Sequence, residues 1–209
     1  MVNDPALRVR FGIHENSDYH SNWIQEVEDN LADELSDLKA REGVASVSVS
    51  ESGIGTGASG PAFEVAVQLL RTFADDATRL VTLGGWILWL ADRVKAKRNT
   101  TPMMEDGPTL GAVAAARVVG TIKLDGFRLL HCSPMQGDAS NGTDDRMTWL
   151  AVFDNAIRGE TLAVFISPSG ILLGQVVVPK VVFDNGTGYI WRTPEEIARA
   201  IRDLNHEAE

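Results

Sequence analysis

The run at residues 80–92, LVTLGGWILWLAD, constrains the fold more than any other stretch of the chain. Between Arg79 and Asp92 lie twelve uncharged residues. A bilayer needs about 20 in a row, so the run is too short to cross one. Trp86, Ile87, Leu88, Trp89 and Leu90 are consecutive, and at helical period they cover every face. A helix that is apolar all round has to be enclosed. The first reading is a central core helix with tryptophans at least half buried. A second reading turns Trp86, Trp89 and Leu90 toward a partner protein, since large aromatic side chains anchor interfaces. A third lays the helix on a membrane surface, with the basic end KAKR (residues 95–98) reaching anionic lipid.

Around this run the hydrophobic period switches repeatedly. Residues 6–13 (ALRVRFGI) and 44–50 (VASVSVS) alternate apolar and polar, as strands do. Between them Trp23, Ile24, Val27, Leu31, Leu35 and Leu38 form one helical stripe, with Asn22 and Gln25 in capping-box positions and Gly43 ending the helix. Its other face is acidic and includes Glu26, Asp33 and Asp37. From Pro61 onward, Phe63, Val67, Leu70, Phe73, Ala77 and Leu80 predict a second helix, interrupted by Gly84 and Gly85. Residues 96–108 (AKRNTTPMMEDGP) predict a linker. LGAVAAARVVG is a small-residue helix. FRLLHC, MTWLAVFD, TLAVFIS, ILLGQVVV, VVFD and YIWR follow as strands, separated by turn signals at Pro168-Ser169-Gly170 and Asn185-Gly186. Thr193-Pro194-Glu195-Glu196 opens a last helix carrying Ile197, Ala200, Ile201 and Leu204. The fold class is α+β. The expected organisation is a β-α-β unit followed by long helices over 1–98, then an antiparallel meander with flanking helices over 105–209.

The chain has 209 residues and a formal net charge of −10, spread evenly along its length. No basic block follows a phosphate backbone, which argues against nucleic acid as a partner. A single cysteine, Cys132, excludes an intrachain disulfide and a cysteine zinc site. The N-terminus shows no apolar leader region, which points to the cytoplasm of a microbe.

The stretch at residues 51–70, ESGIGTGASGPAFEVAVQLL, holds a G-x-G-x-x-G at Gly55, Gly57 and Gly60. A dinucleotide cradle needs this turn after the first strand of a βαβ unit, with an acidic residue ending the next strand. Here it follows the second strand, and Asp75 and Asp76 fall in a helical pattern. The preferred reading is a glycine-rich joint between strand and helix. A helix N-terminus there leaves an anion or small phosphate ligand open for loop 53–60. His131, Cys132 and Ser133 invite a nucleophile reading, but strand alternation points His131 and Cys132 to opposite faces, and Cys132 reads as a small core residue. His14 and His20 lack a metal-ligand spacing of note. Asp138, Asn141, Asp144 and Asp145 crowd one loop without the spacing of a calcium-binding helix-loop-helix. No catalytic, cofactor or metal-binding residue emerges.

The order of features in residues 6–98 resembles the effector-associated constant component family of bacterial conflict systems. The elements that carry it are LRVRFGI, the helix WIQEVEDNLADEL, the valine-rich VASVSVS, the glycine-rich GIGTGASG and a long aliphatic stretch ending WLADRVKAKR. The resemblance implies an accessory domain that couples a sensor to an effector such as a protease or an NTPase, with no catalytic residues to carry over. The reading is therefore a non-enzymatic adaptor of a prokaryotic defence or signalling system, needing no cofactor. It would bind its partner through Trp86, Trp89 and Leu90 or through the acidic residues Glu26, Asp33 and Asp37, and homo-oligomerisation is left open. The alternative is a ligand-binding or enzymatic domain using loop 53–60 and the 131–145 region.

Overall fold

The computed structural model describes residues 6–12, 22–52, 62–69, 77–98, 100–135 and 148–179. The chain is α+β, with two four-stranded antiparallel sheets and four helices among these residues. The first sheet contains β1 (Ala6–Gly12), β2 (Val44–Ser52), β3 (Ala62–Leu69) and β4 (Pro102–Met103), in the order β2-β3-β1-β4. β1 leads through helices α1 (Trp23–Asn30) and α2 (Ala32–Lys39) to β2, β3 returns between them, and α3 (Ala77–Arg98) leads to β4. This is the connectivity of a split β-α-β, ferredoxin-like sheet. Leu7, Val9 and Phe11 on β1 and Phe63, Val65, Val67 and Leu69 on β3 are buried, and Phe11 stacks on Phe63 with ring centroids 5.1 Å apart. The opposite face carries Arg8, Arg10, Glu64, Ala66, Gln68, Ser46, Ser48 and Ser50, and no residue of that set is buried.

β3 corrects the helix expected from Pro61. In AFEVAVQL the buried residues are Phe63, Val65, Val67 and Leu69, a strict period of two. Phe63 and Val67 alone also fit a helical period, but pairing with both β1 and β2 satisfies this backbone from two sides. Segment 53–61 therefore joins two antiparallel strands in sequence, and residues 62–69 are a strand in place of the helix whose N-terminus was expected to face an anion. Gly55, Gly57 and Gly60 themselves lie outside the described residues.

The stripe from Trp23 to Leu38 is buried except for Ile24, which is only partly covered, and two helices share it, parting at Leu31. Asn22 occupies the N-cap without a side-chain hydrogen bond, and Gln25 donates to Asp29 Oδ1, 3.1 Å away, in place of the expected capping box. The expected linker is also structured. Met104 is fully buried, and its N–H donates to the Pro168 carbonyl at 2.8 Å.

Helix α4 (Gly107–Val118) is the hub of the molecule. It packs along α3 and touches β1 and the second sheet. Gly84 and Gly85 do not interrupt α3. A Cβ on Gly84 would fall 2.0 Å from the Ala112 carbonyl oxygen, so Gly84 is where the two helix backbones meet. The second sheet is a meander of β5 (Arg128–Pro134), β6 (Trp149–Asn155), β7 (Glu160–Ile166) and β8 (Leu172–Pro179) in sequential order. The turn between β7 and β8 has Gly170 at φ 77°, where Arg117 Nε donates to its carbonyl at 2.9 Å. One hydrophobic core joins residues from both halves, from Leu7 through α3 and α4 to Ile166. The strands VVFD and YIWR, the turn at Asn185-Gly186 and the helix from Thr193 lie outside the described residues.

Candidate functional site

Two places combine exposed chemistry with a rigid support. The first is the outward side of α3. Its inward arc is Leu80, Leu83, Gly84, Ile87, Leu90, Ala91 and Val94, all buried. Leu90 is wholly in the core and has no surface to present to a partner. Trp86 and Trp89 are only partly buried, resting on the core while keeping part of each ring in solvent. Arg41, from the turn before β2, places its guanidinium carbon 5.9 Å from the Trp86 ring centroid. Thr82, Gly85, Asp92 and Arg93 surround the tryptophans and are exposed. A Cβ on Gly85 would meet nothing within 4 Å, so this face has an open notch.

Beside α3 stand α1 and α2. Glu26, Asp33 and Asp37 are all exposed on them. Glu34 differs: it is buried, and Lys97 Nζ reaches its Oε2 at 2.8 Å and the Asn30 carbonyl at 2.9 Å. Burial by itself would raise the Glu34 carboxyl, but the hydrogen bond and charge of Lys97, with Arg93 nearby, hold it below its ordinary value. This pair ties the end of α3 to α2.

The second place lies where β1, β4 and the start of α4 converge. A depression of about 200 Å³ is lined by Arg8, Arg10, Glu64, Met103, Glu105 and Asp106. Arg10 pairs with Glu105 at 2.8 Å. Asp106 is the N-cap of α4: its Oδ1 accepts from the Thr109 N–H and its Oδ2 from the Thr109 hydroxyl, both at 2.8 Å. The same Thr109 oxygen accepts the Arg8 backbone N–H at 2.7 Å. That N–H lies on the edge of β1 beyond its short pairing with β4. Burial raises the Asp106 carboxyl above its ordinary value, against the pull of Thr109 and Arg8, and the Glu64 charge adds to the rise. Both carboxylate oxygens are engaged in capping, so the group joins a helix to a strand edge and is not poised to take a substrate proton. The signal for it was present in the sequence: Asp-Gly-Pro-Thr before a small-residue run is a cap followed by proline in the first turn.

The 131–145 region is brought together only in part. His131 is exposed, and Cys132 lies against the core on β5. Burial and the nearby Asp106 push the Cys132 thiol up to about 12, so it stays protonated and unreactive at neutral pH. Gly107 packs on its backbone, where a Cβ would lie 2.4 Å from the Cys132 carbonyl oxygen. Asp138, Asn141, Asp144, Asp145, His14 and His20 lie outside the described residues. Among the described residues no group of three or more His, Cys, Asp or Glu side chains could hold a metal ion. No helix among them is long and apolar enough to cross a membrane.

No family model matches the sequence, and neither a curated protein nor a solved structure matches it significantly.

Proposed function

We propose that this chain is a non-enzymatic adaptor that binds another protein through the outward side of α3. One observation carries the reading. On a helix whose opposite side is in the core, Trp86 and Trp89 keep part of their rings in solvent, beside the open notch at Gly85. Tryptophans held rigidly by a core, with one side wet, are the usual anchors of protein interfaces, because little side-chain entropy is lost when a partner covers them. The exposed acids Glu26, Asp33 and Asp37 on the adjacent helices would steer a partner with a basic rim. The resemblance of residues 6–98 to accessory domains of bacterial conflict systems supports a sensor or effector, such as a protease or NTPase, as that partner.

The test is binding of the whole chain to the products of the genes beside its own. Gly85→Gln and Arg93→Glu alter the exposed surface and leave the core untouched. Together they are expected to weaken capture at least tenfold, about 1.4 kcal/mol, with an unchanged circular dichroism spectrum. Undiminished capture would remove α3 from the interface. Turnover of a substrate by the isolated chain would end the adaptor reading.

A further inference from the structure

The two edges of the first sheet are finished differently. At the β1 edge, β4 contributes Pro102, which has no N–H to offer, the Arg10–Glu105 ion pair stands alongside, and the Thr109 hydroxyl takes the Arg8 N–H. These are the devices by which proteins close a sheet against further strands. Among the described residues, the β2 edge shows only an irregularity at Ala45, near its start. No described strand pairs with β2 on the side away from β3. Ala45, Ser46, Ser48 and Ser50 are exposed there, and residues 43–50 contain neither charge nor proline. An open strand edge of this kind is a template for one more strand.

We propose that β2 pairs with β2 of a second copy of this chain, antiparallel about Ser48, joining two four-stranded sheets into one. The sequence Ser46-Val47-Ser48-Val49-Ser50 reads the same in both directions. A twofold interface has to be self-complementary, and this segment is. Centred on Ser48, Val47 of each copy lies opposite Val49 of the other on the helix-covered face. Ser46 lies opposite Ser50 on the open face. The chain carries a net charge of −10, but residues 46–50, which meet their twins in this register, carry no charge, and Glu51 falls opposite Ala45, not opposite another acid. One strand pair covers less than the roughly 1,200–2,000 Å² of a standard interface, so the dimer is weak and forms with rising concentration.

Ser48→Cys tests the pairing and its register together. Directly opposed residues of an antiparallel pair have Cα atoms about 4.5–5.5 Å apart, within the span of about 4.4–6.8 Å that a disulfide bridges. Under mild oxidation, Ser48→Cys is expected to form a covalent dimer roughly a hundredfold faster than Gln68→Cys, an exposed position one strand inward, because paired thiols meet at millimolar effective concentration. Ser46→Cys is expected to cross-link rapidly only when mixed with Ser50→Cys. The unsubstituted chain, with Cys132 alone, reports the background. In sedimentation velocity the unsubstituted chain should shift toward dimer with concentration, and Ser48→Lys, which sets two ammonium groups against each other at the axis, should abolish the shift. The proposal is overturned if Ser48→Cys cross-links no faster than Gln68→Cys. It is equally overturned if the chain stays monomeric at every concentration, as an edge reserved for a foreign strand would leave it, or if Ser48→Lys dimerises as well as the unsubstituted chain.

Discussion

Both sheets are four-stranded and antiparallel, but they treat their faces in opposite ways. The first sheet buries one face and leaves most of the other, apart from the buried Ala62 and Ser52, to Ser, Gln, Glu and Arg. The second buries both faces of its inner strands: Trp149, Ala151 and Phe153 join the main core, while Leu150, Val152 and Ala163 form a separate buried cluster on the reverse side. The sequences differ accordingly. VASVSVS and LRVRFGI alternate, whereas WLAVF and TLAVFI are nearly continuous apolar runs. An antiparallel sheet with a wet face has that face to offer for recognition. The two sheets are joined along the α3–α4 seam.

The sharpest way to break this comparison is to place the same charge on each sheet. Val152→Lys puts an ammonium group where the side chain is 2% exposed. It is expected to cost about 4 kcal/mol or more, because a buried unpaired charge is among the most damaging of single changes. Ser48→Lys lies on the open face and should fall within about 0.5 kcal/mol of the unsubstituted chain. Urea unfolding midpoints compare them, and equal losses would mean that the faces are not distinguished as described.

The seam itself is probed by two neighbouring glycines. Gly84→Ala drives a methyl group into the Ala112 backbone, which no side-chain rotation relieves, and should cost about 3 kcal/mol. Gly85→Ala meets open space on the same helix and should stabilise by about 0.5–1 kcal/mol through helix propensity alone. Thermal melts should move in opposite directions, and a loss at Gly85 as large as that at Gly84 would show that the helices cross elsewhere.

The smallest effect concerns the tie between α2 and α3. Lys97→Met keeps the apolar stem but leaves Glu34 without its partner. Lys97 is 42% exposed, so solvent screens the pair and the loss at neutral pH should be about 1 kcal/mol. The sign with pH follows from the lowered Glu34 carboxyl. Its contribution is fully present above its ordinary value of 4.5 and disappears as pH falls through the lower value of the folded chain. The difference between variant and unsubstituted chain should therefore narrow on acidification. A deficit that stays constant from pH 7 to pH 3 would assign the loss to packing alone (about pH values where carboxylates titrate).

Much of this was legible in the residues. The stripe Trp23 to Leu38, the alternation in β1 and β2, the meander and the burial of Leu80, Leu83, Ile87 and Leu90 follow from hydrophobic period, which records locally which side of an element is covered, whereas the expected enclosure of residues 80–92 on all sides fails at the exposed Thr82, Gly85 and Asp92. That record becomes ambiguous in short segments. Phe63 and Val67 suit a helix as well as a strand, and only the arrival of β1 on one side, from 50 to 62 residues away, and of β2 on the other, from 10 to 25 residues away, decided for β3. Distance along the chain also hid the roles of single residues. Gly84 and Gly85 are adjacent and identical in type, yet one meets the Ala112 backbone and the other meets nothing. Asp106 looked like part of a linker until Thr109 joined it to the Arg8 amide, 101 residues from that threonine. Period and composition determine which residues must be hidden from water. Which partner hides them, and which backbone group is left needing a hydrogen bond, is settled only when distant segments meet, because those contacts are made between residues that share no local pattern.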